Sequence, residues 1–173
     1  MKSSKVYIRI IEKHDIERTA KWINSPEISE IMGYLPVMPL ESQYEYYEKL
    51  KNDKSRFVFA ICLNEGDIHI GNVGLGNIDY ISRHAMFSIF IYDEKFRSEG
   101  RGTEAILLCL DFSFNKLNLN KVYLRVSPES EKVTNLYLKI GFVKEGVLRK
   151  HYYSNGIYKD KEIYSILKEE YLQ

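Results

Sequence analysis

Three observations predict an α/β fold built on one mixed sheet. About seven apolar, β-branched segments read as strands. Amphipathic helical patterns interrupt them. No linker, low-complexity tract or internal repeat divides the 173 residues, so residues 1–173 read as a single domain. The predicted order is β α α α β β β α β α β β. That order gives a mixed, mostly antiparallel central sheet flanked by helices.

Val6–Ile11 (VYIRII) alternates and is the first strand. A helix starts at His14-Asp15, carries Ile16, Thr19, Ala20 and Ile23 at helical spacing, and stops at Ser25-Pro26. A second short helix takes Ile28, Ile31 and Met32 and ends at Gly33. Tyr34–Pro39 (YLPVMP) is an irregular, proline-bearing loop suited to lining a pocket or to packing its own side chains. Leu40–Lys51 is a charged amphipathic helix. Arg56–Leu63, Ile68–Ile78 and Ala85–Tyr92 form an antiparallel meander, with hairpin chemistry at Asn64-Glu65-Gly66-Asp67. Thr103–Leu117 is a long helix whose stripe is Ala105, Leu108, Cys109, Phe112 and Leu117. Lys121–Val126 is a buried strand. Ser127-Pro128 opens a helix that runs to Ile140 and ends on Gly141. Phe142–Val147, a hairpin around Asn155-Gly156, and Lys161–Leu167 complete the sheet.

Composition narrows the function. Apolar residues make up 45% and charged residues 28%, an ordinary soluble balance. A net charge of +1 supplies no basic field for nucleic acid. No apolar run approaches membrane-spanning length. Cys62 and Cys109 lie in apolar runs and read as buried, reduced thiols, and the scattered histidines offer no metal-ligand spacing. A cytoplasmic enzyme or binding protein is expected, with no metal.

Chemistry concentrates in Phe90–Ala105. The strand ending at Tyr92 leads into a basic, glycine-bearing loop, Arg97-Ser98-Glu99-Gly100-Arg101-Gly102, and a helix opens at Thr103. Glycines let backbone approach a ligand, and a helix N-terminus offers unpaired N–H groups, so the loop suits a phosphate or pyrophosphate. An ordinary strand–helix turn with surface arginines is the plain alternative. Tyr137, in the helix before Gly141-Phe142, is a core aromatic when taken alone. Beside a phosphate cradle it is a candidate proton donor to a thiolate. Gly71-Asn72-Val73-Gly74-Leu75-Gly76 lacks the following helix that a dinucleotide fingerprint needs, so these glycines mark twist or close approach across a sheet.

These two motifs, their spacing and the element order resemble the GNAT superfamily of acetyl-CoA-dependent N-acetyltransferases. The run Gly141–Lys150, with Asn155-Gly156, Asp160 and Tyr164–Leu167, is similar to the ribosomal-protein N-acetyltransferase (Rim-type) branch, a layout shared with bacterial spermidine N-acetyltransferases. The resemblance implies a splayed strand pair, Phe90–Tyr92 against Lys121–Val126, forming an acetyl-CoA slot. Phe90, Ile91 and Tyr92 match the strand that pairs with the pantetheine arm. Arg97, Ser98, Glu99, Gly100, Arg101, Gly102 and Thr103 match the pyrophosphate loop. Tyr137 matches the acid, and Ser130 stands where relatives carry a cofactor-contacting Asn. Met86 stands where Rim-type relatives often carry a Glu base, which leaves His84, Asp79, Glu27 or a water chain.

The reaction so implied is direct attack of a neutral amine on the thioester of acetyl-CoA, a co-substrate. The acceptor is expected to be a peptide N-terminus or a small-molecule amine, since the mouth that the resemblance implies, Tyr34–Pro39 with Tyr152-Tyr153, lacks the carboxylates a polyamine would need. A polyamine acetyltransferase, a non-catalytic acyl-CoA-binding module and a nucleotide scaffold are the alternatives. Relatives pair edge strands, which implies a homodimer.

Overall fold

A computed structural model describes residues 1–26, 28, 38–97, 99–154 and 156–171. The helix expected after Ile28, residues 34–37, Glu27, Ser98 and Asn155 lie outside them. Seven strands form one sheet: β1 (Val6–Ile10), β2 (Phe57–Leu63), β3 (His69–Asp79), β4 (His84–Ile91), β5 (Lys121–Val126), β6 (Val143–Ser154) and β7 (Ile157–Leu167). Their order is β1-β2-β3-β4-β5-β7-β6. β1/β2, β5/β7 and β6/β7 are antiparallel, and β4/β5 is parallel. The short turns on either side of β3 permit only antiparallel neighbours, whereas a helix separates β4 from β5 and allows the parallel pair. Among the described residues the α-helices are α1 (Ile16–Ile23), α2 (Leu40–Leu50), α3 (Arg101–Asp111), α4 (Glu131–Ile140) and the single turn α5 (Lys168–Tyr171).

The chain forms two compact units, Met1–Gly74 with Ile89–Leu108, and Leu75–Ser88 with Cys109–Gln173. β3 and β4 each run from one unit into the other.

In the first unit, the buried Asp15 carboxylate accepts from Arg9 (2.6 and 2.9 Å) and from the Glu12 amide (2.8 Å), and lies 3.2 Å from His69 Nδ1. Burial opposes its charge, but these donors hold the carboxyl well below the usual range. Trp22 stacks on Tyr92 at 4.2 Å. A Cβ at Gly71 would lie 2.2 Å from Phe90 O, and one at Gly74 2.3 Å from Phe57 O. Close approach therefore explains these two glycines, while Gly76 has nothing within 4 Å.

In the second unit, Phe87, Tyr137 and Phe142 pack as an aromatic trio with centroids 5.4–6.5 Å apart. α4 stops at Gly141 with φ 110°, as its position predicts. β6 runs on past the expected Val147 to Ser154, with register shifts at Lys144/Gly146 and Leu148/Tyr152 that re-aim the strand.

Along α3 the fully buried residues are Ala105, Ile106, Cys109 and Leu110. This differs from the predicted stripe, because Leu108 and Phe112 are only half-buried. The helix begins at Arg101, two residues earlier than predicted, and widens into a π-helical turn over Phe112–Lys116. That turn brings Phe114 rather than Leu117 into the core. Both cysteines are free and buried, and burial pushes Cys109 up to about 12. No helix among the described residues is long and apolar enough to cross a membrane.

Candidate active site

In the first unit, β4 hands over to the glycine loop. The Tyr92 amide donates to Ile70 O of β3 at 3.1 Å. Strand alternation then turns the backbone groups of Phe90 and Tyr92 toward β3, and those of Ile89 and Ile91 away from it. Of Phe90, Ile91 and Tyr92, the residues matched to the strand that pairs with the pantetheine arm, not all then turn their backbone away from β3. Only Ile91 does, and its carbonyl is already held by Arg97 Nε at 2.9 Å. Ile89, unnamed by the sequence reading, shares the free edge. Period-two counting back from Ile91 finds it.

The arginines are engaged within the loop. Arg97 Nη2 donates to Tyr92 O at 2.8 Å, and its guanidinium lies 5.7 Å over the Phe90 ring. Arg97 therefore braces the strand–loop corner. Arg101 pairs with Glu99 at 2.6 Å. Glu99 O in turn accepts from Lys5 Nζ at 2.5 Å. What the loop leaves open is backbone. Arg101, Gly102 and Thr103 open α3, so the helix has no acceptor for their N–H groups. Gly100 sits at φ +80°, a conformation that favours glycine. A Cβ at Gly102 would meet only Ile91 Cδ1, at 3.6 Å.

Glu104 fixes this first turn. It accepts from Ser3 Oγ (2.6 Å), Ser4 Oγ (2.6 Å) and the Lys5 amide (2.8 Å). Burial raises its carboxyl, but the donors outweigh burial and hold it at about 2. Nothing in the sequence signalled this contact, since its partners lie about a hundred positions away.

In the second unit, the β4–β5 ladder covers only His84–Met86 against Lys121–Tyr123. Past Tyr123, β5 continues to Val126 paired with β7. Met86↔Tyr123 is the last described rung between the two strands. Tyr137 is 7% exposed, and its hydroxyl bonds to no described residue. Burial pushes the phenol up to about 12. Ser130 is the N-cap residue of α4, which starts at Glu131 rather than at the expected Ser127-Pro128, and its side chain makes no capping bond. Of the base candidates, Asp79 is spent on the Ile81 and Ser82 amides (both 2.8 Å), and His84 lies 3.9 Å from it. A groove of about 830 Å³ along α2, lined by Glu41, Tyr44, Glu45 and Glu48 among others, includes none of the predicted site residues.

An acetyltransferase (GNAT) domain model matches residues 5–143. The chain belongs to the GNAT acetyltransferase family. It is 33% identical to a spermidine N(1)-acetyltransferase of Vibrio cholerae, over 98% of this chain and 97% of that protein. The Escherichia coli K12 spermidine N(1)-acetyltransferase is 31% identical over 96% and 88%. The crystal structure of the Vibrio cholerae spermidine N-acetyltransferase in complex with CoA and spermine superimposes with a TM-score of 0.93, at 32% identity, covering 99% of this chain and all of that one. These relatives carry the spermidine name rather than that of the ribosomal-protein branch. The GNAT assignment fixes the fold class and the chemistry, which is acetyl transfer from acetyl-CoA to an amine. The residues present fit that donor. In the first unit α3 opens on three N–H groups that the helix itself leaves without an acceptor, with a glycine at its second position, which suits the pyrophosphate of such a donor.

Proposed function

We propose that this GNAT enzyme acetylates the primary amine of a small molecule or peptide by direct attack, the whole chain acting as one catalytic domain. Tyr137 carries the reading. Its phenol is buried, has no described partner, and stays protonated at neutral pH. It holds the proton that the departing thiolate takes up, and a phenol in its ordinary range is the nearer match to a thiol, so burial makes that transfer harder rather than easier. The N–H groups of Arg101, Gly102 and Thr103 take the donor's pyrophosphate, and Glu99 and Gly100 shape the approach; Ser98, matched to the same loop by resemblance, lies outside the described residues. Arg97 acts as a brace, and Ile89 and Ile91 offer backbone to the donor's arm. Ser130 serves by its place at the start of α4. A cytoplasmic homodimer, joined through edge strands, belongs to the same reading.

Polyamine acetylation is the second reading, and the names of the full-length relatives favour it. A thiol-release assay with acetyl-CoA over spermidine, glucosamine and a dipeptide separates the two. Release with glucosamine or the dipeptide ahead of spermidine supports the first, and the reverse order supports the second. No release from any amine, together with no thermal stabilisation by acetyl-CoA, would sink both.

A further inference from the structure

One face of the second unit carries two cations, Arg125 and Lys161, that pair with no carboxylate among the described residues. Residues paired across a sheet share a face. Met86 pairs with Tyr123 and Arg125 with Ile163, so Met86, Tyr123, Arg125, Ile163 and, two positions along β7, Lys161 lie on one side. Phe87 and its partner Tyr137 are on the other. Arg125 sits two residues past the last β4–β5 rung. Its guanidinium reaches Met86 Sδ at 3.0 Å and His151 Nε2 at 2.8 Å. Neither neighbour carries a negative charge. Lys161 is half-buried, and its ammonium lies 4.3 Å over the Tyr152 ring. Burial, then the Arg125 charge, lowers its pKa.

The nearby carboxylates are engaged elsewhere. Glu145 is held by Lys121 and Ser165, Glu162 by Lys144 and Tyr164, and Glu129 by Lys159. Asp160 accepts from the Lys150 amide at 2.7 Å. Two like charges thus stand as diagonal neighbours on one face of β5 and β7, just past the last β4–β5 rung, and one of them is half-buried. An oxyanion bound between them would relieve the repulsion through charge-assisted hydrogen bonds. A polycation would add to it.

We propose that Arg125 and Lys161, with His151 beside them, form an anion subsite that selects an amine acceptor carrying a phosphate or carboxylate. This rests on the transferase reading above and names its acceptor class. Met86 offers no charge to a second ammonium and instead accepts from the Arg125 guanidinium.

Matched acceptors test the subsite. Glucosamine 6-phosphate against glucosamine probes phosphate, alanyl-alanine against its C-terminal amide probes carboxylate, and spermidine is the polycation. In at least one pair the anionic member should show about tenfold higher kcat/KM, mostly through KM, as expected for one charge-assisted contact. Arg125→Gln and Lys161→Gln should each pull that ratio toward one. A ratio of one or below, no release from either anionic acceptor, spermidine preferred over both, or an unchanged ratio in both variants overturns the subsite. So does a rise in the acetyl-CoA KM alone, which would assign the cluster to a phosphate of the donor. Thermal stabilisation of the wild-type protein by acetyl-CoA separates the two failures. Without it the transferase reading fails, and with it a flat panel counts against the subsite only.

Discussion

The Tyr137 phenol is raised because burial penalises the phenolate and no described residue compensates it. The group is therefore a standing proton donor, and it loses that proton only as pH approaches about 12. A fall in kcat at lower pH reports a different group. Tyr137→Phe keeps the ring contacts with Phe87 and Phe142 and removes only the hydroxyl. It should lower kcat by roughly a hundredfold while changing the acetyl-CoA Kd far less. Single-turnover kinetics beside titration calorimetry measure the two, and an unchanged kcat would remove Tyr137 from the chemistry. Gly102 offers a cleaner test of the phosphate cradle than Gly100. At Gly100 a side chain is strained by φ +80° before any ligand arrives. At Gly102 an added methyl finds ordinary contact distance, and alanine is the better helix former by about 1 kcal/mol. Gly102→Ala should hold or raise Tm while raising the acetyl-CoA KM several-fold. An unaltered KM would move the pyrophosphate off this turn.

At the scale of elements, α3 is aimed by its connection to the N-terminal segment. Glu104 collects three donors from Ser3, Ser4 and Lys5. Its folded value, about 2, lies below the ordinary glutamate value of 4.5. The stability it contributes is therefore fully present above the ordinary value and is lost as pH falls toward about 2. Glu104→Gln should lower stability at neutral pH by about 1 kcal/mol, the scale of a partly exposed charge-assisted cluster. The gap between variant and wild type should close in acid. Denaturant melts at several pH values give both quantities. A gap that persists unchanged at pH values near 2 would mean that the charge is not what holds the segment.

Across the whole molecule, legibility followed sequence distance. The strands, the Gly141 stop and the strand–loop–helix at Phe90–Thr103 were readable, because each is written in consecutive residues. Hidden were the features set by distant partners. Arg97 looked like a phosphate ligand until Ile91 and Tyr92 carbonyls were found against it. Glu104 meets donors about a hundred positions away. The facing of Phe90 and Tyr92 needed the position of Ile70. The cations at Arg125 and Lys161 lie on different strands, and only their shared neighbours Tyr123 and Ile163 reveal a common face. The two compact units were equally hidden, since β3 and β4 pass through both without a break in pattern. That continuity has a measurable consequence. Neither unit can lose its strands without disrupting a strand of the other, so heating should give one cooperative transition. Acetyl-CoA at a hundredfold excess over its Kd adds about 2.7 kcal/mol to the folded state. For a chain of this size that raises the single Tm by roughly 5–10 °C. Calorimetry with and without acetyl-CoA reads both at once. Two separated peaks would show that the shared strands do not couple the units, and a single unshifted peak would show that the donor does not bind.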